Sequence, residues 1–243
     1  MTKKLNGTTD GICNKIIKAL HNNESTDILI CGVKGDGKSS VGVGLGRLLS
    51  DNFSIDDIVF NVTDYLRRAE ELPPYSVIVF DETGTQNSGM SSRNFMSNKN
   101  KNVVDVWQMV RTKKICTICI TLDIGRIDNR IRETFRYHIT PIKKLTDEDT
   151  KGHGLAVLCE LREIIKAKQS EETDMLFKLK SSRINGLGAI TVPLAPTWFI
   201  HAYEDKRELT LKNMMEAAQK LEHAESQKKR GRGRPRKIES ISQ

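Results

Sequence analysis

Short apolar runs alternate with amphipathic stretches along the first 145 residues, a pattern typical of an α/β fold. Five runs have strand length and lie at 27–31, 57–62, 76–80, 115–121 and 137–142. Helical spacing of apolar residues falls between them, at 8–22, after residue 37, at 63–71 and at 93–114. The pattern predicts a mostly parallel sheet sandwiched by helices, with 137–142 as its last strand.

The pattern changes after residue 153. Strand-like stretches at 155–164 and 175–180 flank the polar segment 166–173, which predicts a small β-hairpin. An extended segment at 191–196 and a helix over 197–227 follow. We therefore divide the chain into an N-terminal helix (1–24), a core (25–145), a C-terminal β/α extension (146–226) and a basic tail (227–243).

The first apolar run leads directly into a glycine-rich segment that matches the phosphate-binding pattern G-x-x-x-x-G-K-[ST] without a mismatch. Glycines let successive backbone N–H groups curl around a polyphosphate. Lys38 would place its charge on the β- and γ-phosphates, and the Ser39 hydroxyl would supply a ligand for Mg²⁺. The alternative is a glycine-rich turn that matches by accident. The residues predicted to bind the nucleotide are Gly32, Val33, Lys34, Gly35, Asp36, Gly37, Lys38, Ser39 and Ser40.

Two carboxylates follow the apolar run 76–80, about forty residues after the glycine-rich segment. A buried strand that delivers an aspartate at its carboxyl end has the form of a Walker B segment. Asp81 would hold Mg²⁺ and Glu82 would polarise the attacking water. A strand that simply ends at an acidic turn is the alternative interpretation.

The strand predicted at 115–121 ends at polar residues, and an arginine-rich run follows it. Thr121 or Asp123 is placed to sense the γ-phosphate. The arginines between 126 and 136 recur at helical spacing, so that two or three would share a face. These arginines, Arg130 and Arg132 among them, are candidates for an arginine finger that reaches a neighbouring subunit. A solvated or DNA-contacting helix is the alternative.

The net charge of +8 comes almost entirely from the tail, since seven lysines and arginines lie between 228 and 237. This segment has too few apolar residues to build a core and is predicted to be disordered. Its Arg-Gly-Arg-Pro sequence matches the core of the AT-hook, which fits the narrow minor groove of A·T-rich DNA. A generic polybasic tail is the alternative. The candidate DNA-binding residues are Arg232, Gly233, Arg234, Pro235, Arg236 and Lys237.

The five scattered cysteines and the lack of a long apolar run indicate where in the cell the protein is expected. Cys116 and Cys119 have the spacing of half a zinc or redox motif, but they lie in a strand-like run and have no partner pair. We interpret them as core residues. No stretch approaches the roughly twenty apolar residues of a membrane span, and no signal peptide is present. We expect a soluble, cytoplasmic protein that does not contact membranes.

With these segments in place, residues 25–142 resemble the additional-strand P-loop ATPases of the HerA/FtsK type, in particular the zonula-occludens-toxin-like and archaeal viral or plasmid ATPases. The resemblance rests on Gly32–Ser39, on Val77–Glu82, and on the strand and arginine run from Thr117 to Arg136. It implies a P-loop NTPase fold and a homo-oligomeric ATPase that uses ATP and Mg²⁺ to move or package DNA. Where the family often has Thr-Gln at the sensor strand, this chain has Thr121-Leu122-Asp123.

Three functions are consistent with these patterns. The first is a DNA-associated ATPase that hydrolyses ATP. The second is a nucleotide-gated DNA-binding regulator with little turnover, in which the tail does the functional work. The third is a P-loop kinase, which would need an acceptor pocket and would not respond to DNA.

Overall fold

The computed structural model describes residues 7–22, 24, 26–83, 107, 110, 112–127, 129–152, 154–165, 178–181 and 189–231. The chain divides into two compact units, one that reaches Tyr203 and one that starts at Glu204. The helices are α1 (Gly7–His21), α2 (Lys38–Leu49), α3 (Val62–Glu71), α4 (Asn129–Arg132) and α5 (Thr197–Gly231). The strands are β1 (Ile28–Cys31), β2 (Ile58–Val59), β3 (Val77–Phe80), β4 (Cys116–Thr121), β5 (Tyr137–Leu145), β6 (Ala156–Ile165), β7 (Lys178–Ser181) and β8 (Ala189–Pro193).

All eight strands belong to one sheet in the order β2-β3-β4-β1-β5-β6-β7, with β8 also paired to β6. The five strands from β2 to β5 are mutually parallel, whereas β6 is antiparallel to β5, β7 and β8. The predicted mostly parallel α/β fold is therefore confirmed. Strand β4 lies between β1 and β3 in this sheet.

The prediction that the sheet ends with 137–142 is wrong. Strand β5 continues to Leu145 and pairs along its length with β6. An uncovered β5 would present a row of unpaired N–H and C=O groups at the sheet edge, and β6 satisfies them. The predicted β-hairpin is present as β6 and β7, but it extends the main sheet instead of standing apart from it.

Helices cover both faces of the sheet, as the alternation of apolar residues along each strand requires. One core cluster joins side chains from α1, α2 and the first turns of α5 to the sheet, and it includes Cys116. The other joins α3, Trp107, Val110 and the segment 127–135 to the opposite face, and it includes Cys119. These two cysteines therefore point to opposite faces of β4, and neither forms a disulfide.

The glycines of α2 let that helix approach the sheet closely. A Cβ atom at Gly44 would lie 2.4 Å from the carbonyl oxygen of Pro193, and one at Gly42 would lie 2.6 Å from Cδ1 of Ile120. Helix α2 nevertheless runs for 12 residues. Close packing therefore outweighs the weak helix propensity of glycine at these positions.

The carboxyl-terminal helix is longer than the sequence pattern predicts. Helix α5 continues to Gly231, so residues 227–231, which we assigned to a disordered tail, are helical. Gln, Lys and Arg are strong helix formers, and they extend the helix without a core of their own. No helix in the described residues is long and apolar enough to cross a membrane.

Candidate functional site

Three parallel strands bring the predicted site segments to one edge of the sheet. Cys31 at the end of β1 is in register with Thr121 at the end of β4. Phe80 at the end of β3 is in register with Cys119. The glycine-rich loop, Asp81 and Thr121 therefore follow strands that end at nearly the same level, where parallel sheets of this class bind their ligands.

The loop between β1 and α2 has the backbone of an anion-binding turn. Gly35 and Gly37 adopt φ angles of 98° and 86°, which favour glycine, and α2 begins at the next residue, Lys38. The N–H of Val33 donates to Oδ2 of Asp36 at 2.9 Å, which closes the loop on itself. The Lys38 ammonium donates to the carbonyl oxygen of Val33 at 2.6 Å. The Lys38 side chain thus folds over the loop, where it is positioned to exchange this carbonyl for a phosphate oxygen.

Asp81 is a buried carboxylate that faces α2. Its side chain is 2% exposed, and its Oδ1 accepts the N–H of Glu82 at 2.7 Å. Burial raises the pKa of Asp81, while hydrogen bonds from Tyr203, Ser39 and the Glu82 N–H oppose that rise. The tertiary structure therefore joins Ser39 of the loop to Asp81 of β3, the pair that the sequence predicts to hold Mg²⁺.

The oxygen donors at this position fit a magnesium ion. A serine hydroxyl and a carboxylate are hard ligands of the kind that Mg²⁺ takes, usually together with phosphate oxygens and water. The loop beside them is open, since a Cβ atom at Gly35 would have nothing within 4 Å.

The turn after β3 is held in an unusual conformation. Glu82 has a φ of 57°, a left-handed value that is uncommon for a residue other than glycine. Thr83 anchors the turn to β4, because its N–H and its hydroxyl both donate to the carbonyl oxygen of Ile120, at 2.9 and 2.6 Å. Strained residues that their surroundings hold in place concentrate at functional sites. The turn therefore presents the Glu82 side chain, which is half-buried, next to Asp81.

Thr121 and Asp123 lie at the end of β4, where the sequence predicts a phosphate sensor. The Thr121 hydroxyl is buried and donates to the carbonyl oxygen of Asp123 at 3.1 Å. The Asp123 carboxylate accepts the N–H of Gly125 at 2.9 Å. Both Asp123 and Lys38 act on the neighbouring thiol of Cys31, whose pKa is raised to about 12, chiefly by burial. Asp123 and Lys38 therefore belong to the same local environment, and the sensor role stays a prediction.

The arginine run does not form the single helix that its spacing predicts. Arg126 ends a 3₁₀ turn, α4 spans only Asn129–Arg132, and Arg136 precedes β5 and pairs with Glu24. Arg130 and Arg132 are half-buried in α4. Nε of Arg132 is buried and has no hydrogen-bond partner among the described residues. Their role in a neighbouring subunit's site stays a prediction.

Sequence reasoning missed two residues of the site. The Tyr203 hydroxyl donates to Oδ2 of Asp81 at 2.5 Å, across 122 positions of sequence. Helical spacing from Phe199 predicts that Tyr203 is buried, but no local pattern indicates its partner. The other is Thr83, which is polar in a segment without a recognisable motif and which is 2% exposed.

Two predicted features fall outside the described residues. These are most of the helix predicted at 93–114 and the predicted DNA-binding motif Arg232–Lys237.

No protein-family model matches this sequence, and no curated protein does. Among solved structures, a chain of the HORMA:CdnC:Trip13 complex of E. coli MS115-1 is similar with a TM-score of 0.40 and 12% identity, over 58% of this chain and 63% of that chain. The N-terminal domain of zonular occludens toxin from Neisseria meningitidis is similar with a TM-score of 0.36 and 17% identity, over 57% of this chain and 83% of that one. The genome packaging NTPase B204 of Sulfolobus turreted icosahedral virus 2, in complex with ATP-gammaS, is similar with a TM-score of 0.36 and 8% identity, over 56% and 92%.

Proposed function

We propose that this chain is a DNA-associated ATPase that binds ATP with Mg²⁺, hydrolyses it, and serves DNA translocation, packaging or mobilisation in a mobile element or virus-like setting. One observation carries the proposal. The Ser39 hydroxyl of the phosphate-binding loop lies beside the buried Asp81 at the carboxyl edge of the sheet and lowers its pKa, and Glu82 follows Asp81 in a constrained turn.

In this proposal each residue of the site has a separate task. The loop N–H groups and Lys38 bind the β- and γ-phosphates, and Ser39 and Asp81 hold the magnesium ion. That ion would neutralise charge on the phosphates and orient them. Glu82 orients and polarises the water that attacks the γ-phosphate in line. Fixed electrostatic groups of this kind account for most of the rate enhancement in phosphoryl transfer.

A neighbouring copy of the chain would complete the site. Arg130 or Arg132 would reach the γ-phosphate of the adjacent subunit, as arginine fingers do. The proposal therefore includes a homo-oligomer.

The DNA component of the proposal rests on the tail. The residues Arg232, Gly233, Arg234, Pro235, Arg236 and Lys237 combine positive charge with an Arg-Gly-Arg-Pro sequence. The minor groove of A·T-rich DNA is narrow and attracts arginine. A tail that binds any polyanion would instead bind duplexes of every base composition equally well.

A second candidate function is a nucleotide-gated DNA-binding protein with little turnover. The bond from the Tyr203 hydroxyl to Asp81 favours it, because this hydroxyl engages an oxygen that magnesium binding would use. Such a protein would bind nucleotide and DNA but would hydrolyse ATP very slowly.

Steady-state ATP hydrolysis with and without A·T-rich duplex DNA tests these candidates. We expect the full chain to turn over ATP, and the rate to rise with DNA and with protein concentration. Glu82→Gln should keep ATP binding and lower the rate by about 100-fold or more, within the range found when a catalytic group is removed. Lys38→Ala should lose nucleotide binding.

The contrary outcomes are distinct. Tight ATP binding with no turnover, with or without DNA, would overturn the ATPase and support the nucleotide-gated regulator. Turnover that G·C-rich and A·T-rich duplexes stimulate equally would overturn the A·T preference alone. Hydrolysis that Glu82→Gln leaves unchanged would remove Glu82 from the catalytic role.

A further inference from the structure

Strand β5 runs past the phosphate-binding loop. It is parallel to β1 from Tyr137 to Ile139, level with the three residues Ile28–Ile30. β1 ends at Cys31, whereas β5 continues for six residues beyond Ile139, to Leu145. A Cβ atom at Gly32, the first loop residue, would lie 3.4 Å from Cδ of Pro141. The second half of β5 therefore lies alongside the loop and contacts it.

An irregularity in β5 decides which lysine faces this loop. Pro141 is opposite Cys159 and Lys144 is opposite Val157, while the register shifts between Pro141 and Lys143. Residues opposite each other in an antiparallel pair point to the same face. Cys159 and Val157 belong to the core cluster beneath α2. The extra residue, Ile142, thus places Lys144 on the face of α2, where an uninterrupted strand would have placed Lys143.

The contacts of Gly37 agree with this register. A Cβ atom at Gly37 would lie 3.5 Å from Cε of Lys144 and 3.5 Å from Cγ2 of Val157. Gly37 immediately precedes Lys38 and the N-terminus of α2. The Lys144 ammonium group, one bond beyond Cε, is therefore beside the part of the loop whose N–H groups bind phosphate in this motif.

The two adjacent lysines differ in their charge partners. Nζ of Lys143 lies 3.5 Å from Oδ1 of Asp149. Among the described residues, no carboxylate forms an ion pair with Lys144, which is exposed. Lys144 and Lys38 therefore place two ammonium groups beside one loop, an arrangement that suits a polyphosphate better than a single phosphate.

We propose that Lys144 is a second phosphate-binding lysine of this site, which contacts the diphosphate portion of a bound nucleoside di- or triphosphate from the β5 side. The inference rests on the proposed nucleotide-binding function and adds a residue to it. In this proposal, the irregularity at Ile142 matters for binding because it orients Lys144 toward the loop.

Titration of the full chain with ATPγS and with ADP in the presence of Mg²⁺ tests this inference. We expect Lys144→Gln to lower the affinity for both nucleotides about tenfold, as the loss of one charge-assisted hydrogen bond predicts. Lys144→Arg should stay within about threefold of wild type. Lys143→Gln removes the same charge one residue away and is the matched control, with affinities within about twofold of wild type.

Two further readouts separate binding from folding. The melting temperature of the ligand-free protein should be the same for Lys144→Gln and Lys143→Gln, because both side chains are exposed. The dependence of ATPγS affinity on salt should weaken in Lys144→Gln only, because one charge no longer meets the phosphates.

The failures of the inference and of the proposed function differ. If wild type binds both nucleotides and Lys144→Gln binds them equally well, the inference is overturned and the proposed function stands. Equal losses in Lys143→Gln and Lys144→Gln would also overturn it, since they would indicate a general effect of charge. Wild-type protein that binds neither nucleotide would overturn both.

Discussion

Two buried aspartates mark the opposite ends of the parallel strands. Asp27 precedes β1 at the amino ends, is 5% exposed, and accepts hydrogen bonds from Nε1 of Trp107 at 3.1 Å and the N–H of Thr117 at 3.2 Å. Asp81 follows β3 at the carboxyl ends, is 2% exposed, and accepts the hydroxyl of Tyr203 and the N–H of Glu82, while the Ser39 hydroxyl beside it lowers its pKa.

The difference lies in the donors. An indole and a strand N–H have fixed positions, so the bonds of Asp27 join β1 to β4 and to Trp107 in one arrangement. Asp81 is instead bonded to the Tyr203 hydroxyl and lies beside that of Ser39, and hydroxyls can rotate and accept as well as donate. Asp81 can therefore exchange its partners for a ligand, whereas Asp27 cannot do so without loss of structure. Burial by itself does not distinguish a structural carboxylate from a functional one.

Removal of the Asp27 carboxylate should have the largest effect on stability. Asp27→Ala leaves the Thr117 N–H without its acceptor, and Nε1 of Trp107 keeps the Thr134 hydroxyl, at 3.0 Å, as its one partner among the described residues. We expect the free energy of unfolding in urea to fall by about 3 kcal/mol. Should this variant fail to fold, Asp27→Asn, which keeps one acceptor, should lose less. Unchanged stability in both variants would contradict the structural role.

Neutralisation of Asp81 should raise the stability of the protein, whereas removal of the Asp27 carboxylate should lower it. Burial raises the pKa of Asp81 above its ordinary value of 3.8, so the folded state disfavours the charged form. Wild-type stability is therefore lost as the pH rises from 3.8 through the raised pKa, and Asp81→Asn escapes this loss. We expect Asp81→Asn to abolish hydrolysis and to unfold a few degrees higher than wild type, with the difference larger at pH 8 than at about pH 4, near the ordinary pKa. A lower melting temperature at pH 8 would contradict this account.

Two tyrosines allow a smaller and sharper test. The Tyr203 hydroxyl binds Asp81, and the Tyr65 hydroxyl lies 3.1 Å from Oγ1 of Thr117, near Asp27. Each Tyr→Phe change should lower the free energy of unfolding by about 1 kcal/mol. Only Tyr203→Phe frees an oxygen of Asp81, so it alone should lower, by several-fold, the Mg²⁺ concentration needed for half-maximal ATPγS binding. An equal decrease of this Mg²⁺ concentration in Tyr65→Phe would contradict the distinction between Asp81 and Asp27.

Much of this site could be predicted because its motifs are local. The proposed phosphate-binding residues Gly32 to Ser39 lie in one continuous segment, and Asp81 directly follows its own strand. The strands of the sheet could be predicted for the same reason, since two-residue periodicity assigns Cys116 and Cys119 to opposite faces without any knowledge of their neighbours. The sequence alone therefore determined the α/β class and the place of the phosphate-binding loop.

Tertiary structure decided the rest, because contacts between distant segments and shifts of register leave no local pattern. The bond from Tyr203 to Asp81 depends on how the start of α5 packs against the sheet, across 122 positions. The continuation of the sheet beyond residue 142 depends on the pairing of β5 with β6. The choice of Lys144 over Lys143 depends on one extra residue in β5, which reverses the faces of all residues after it.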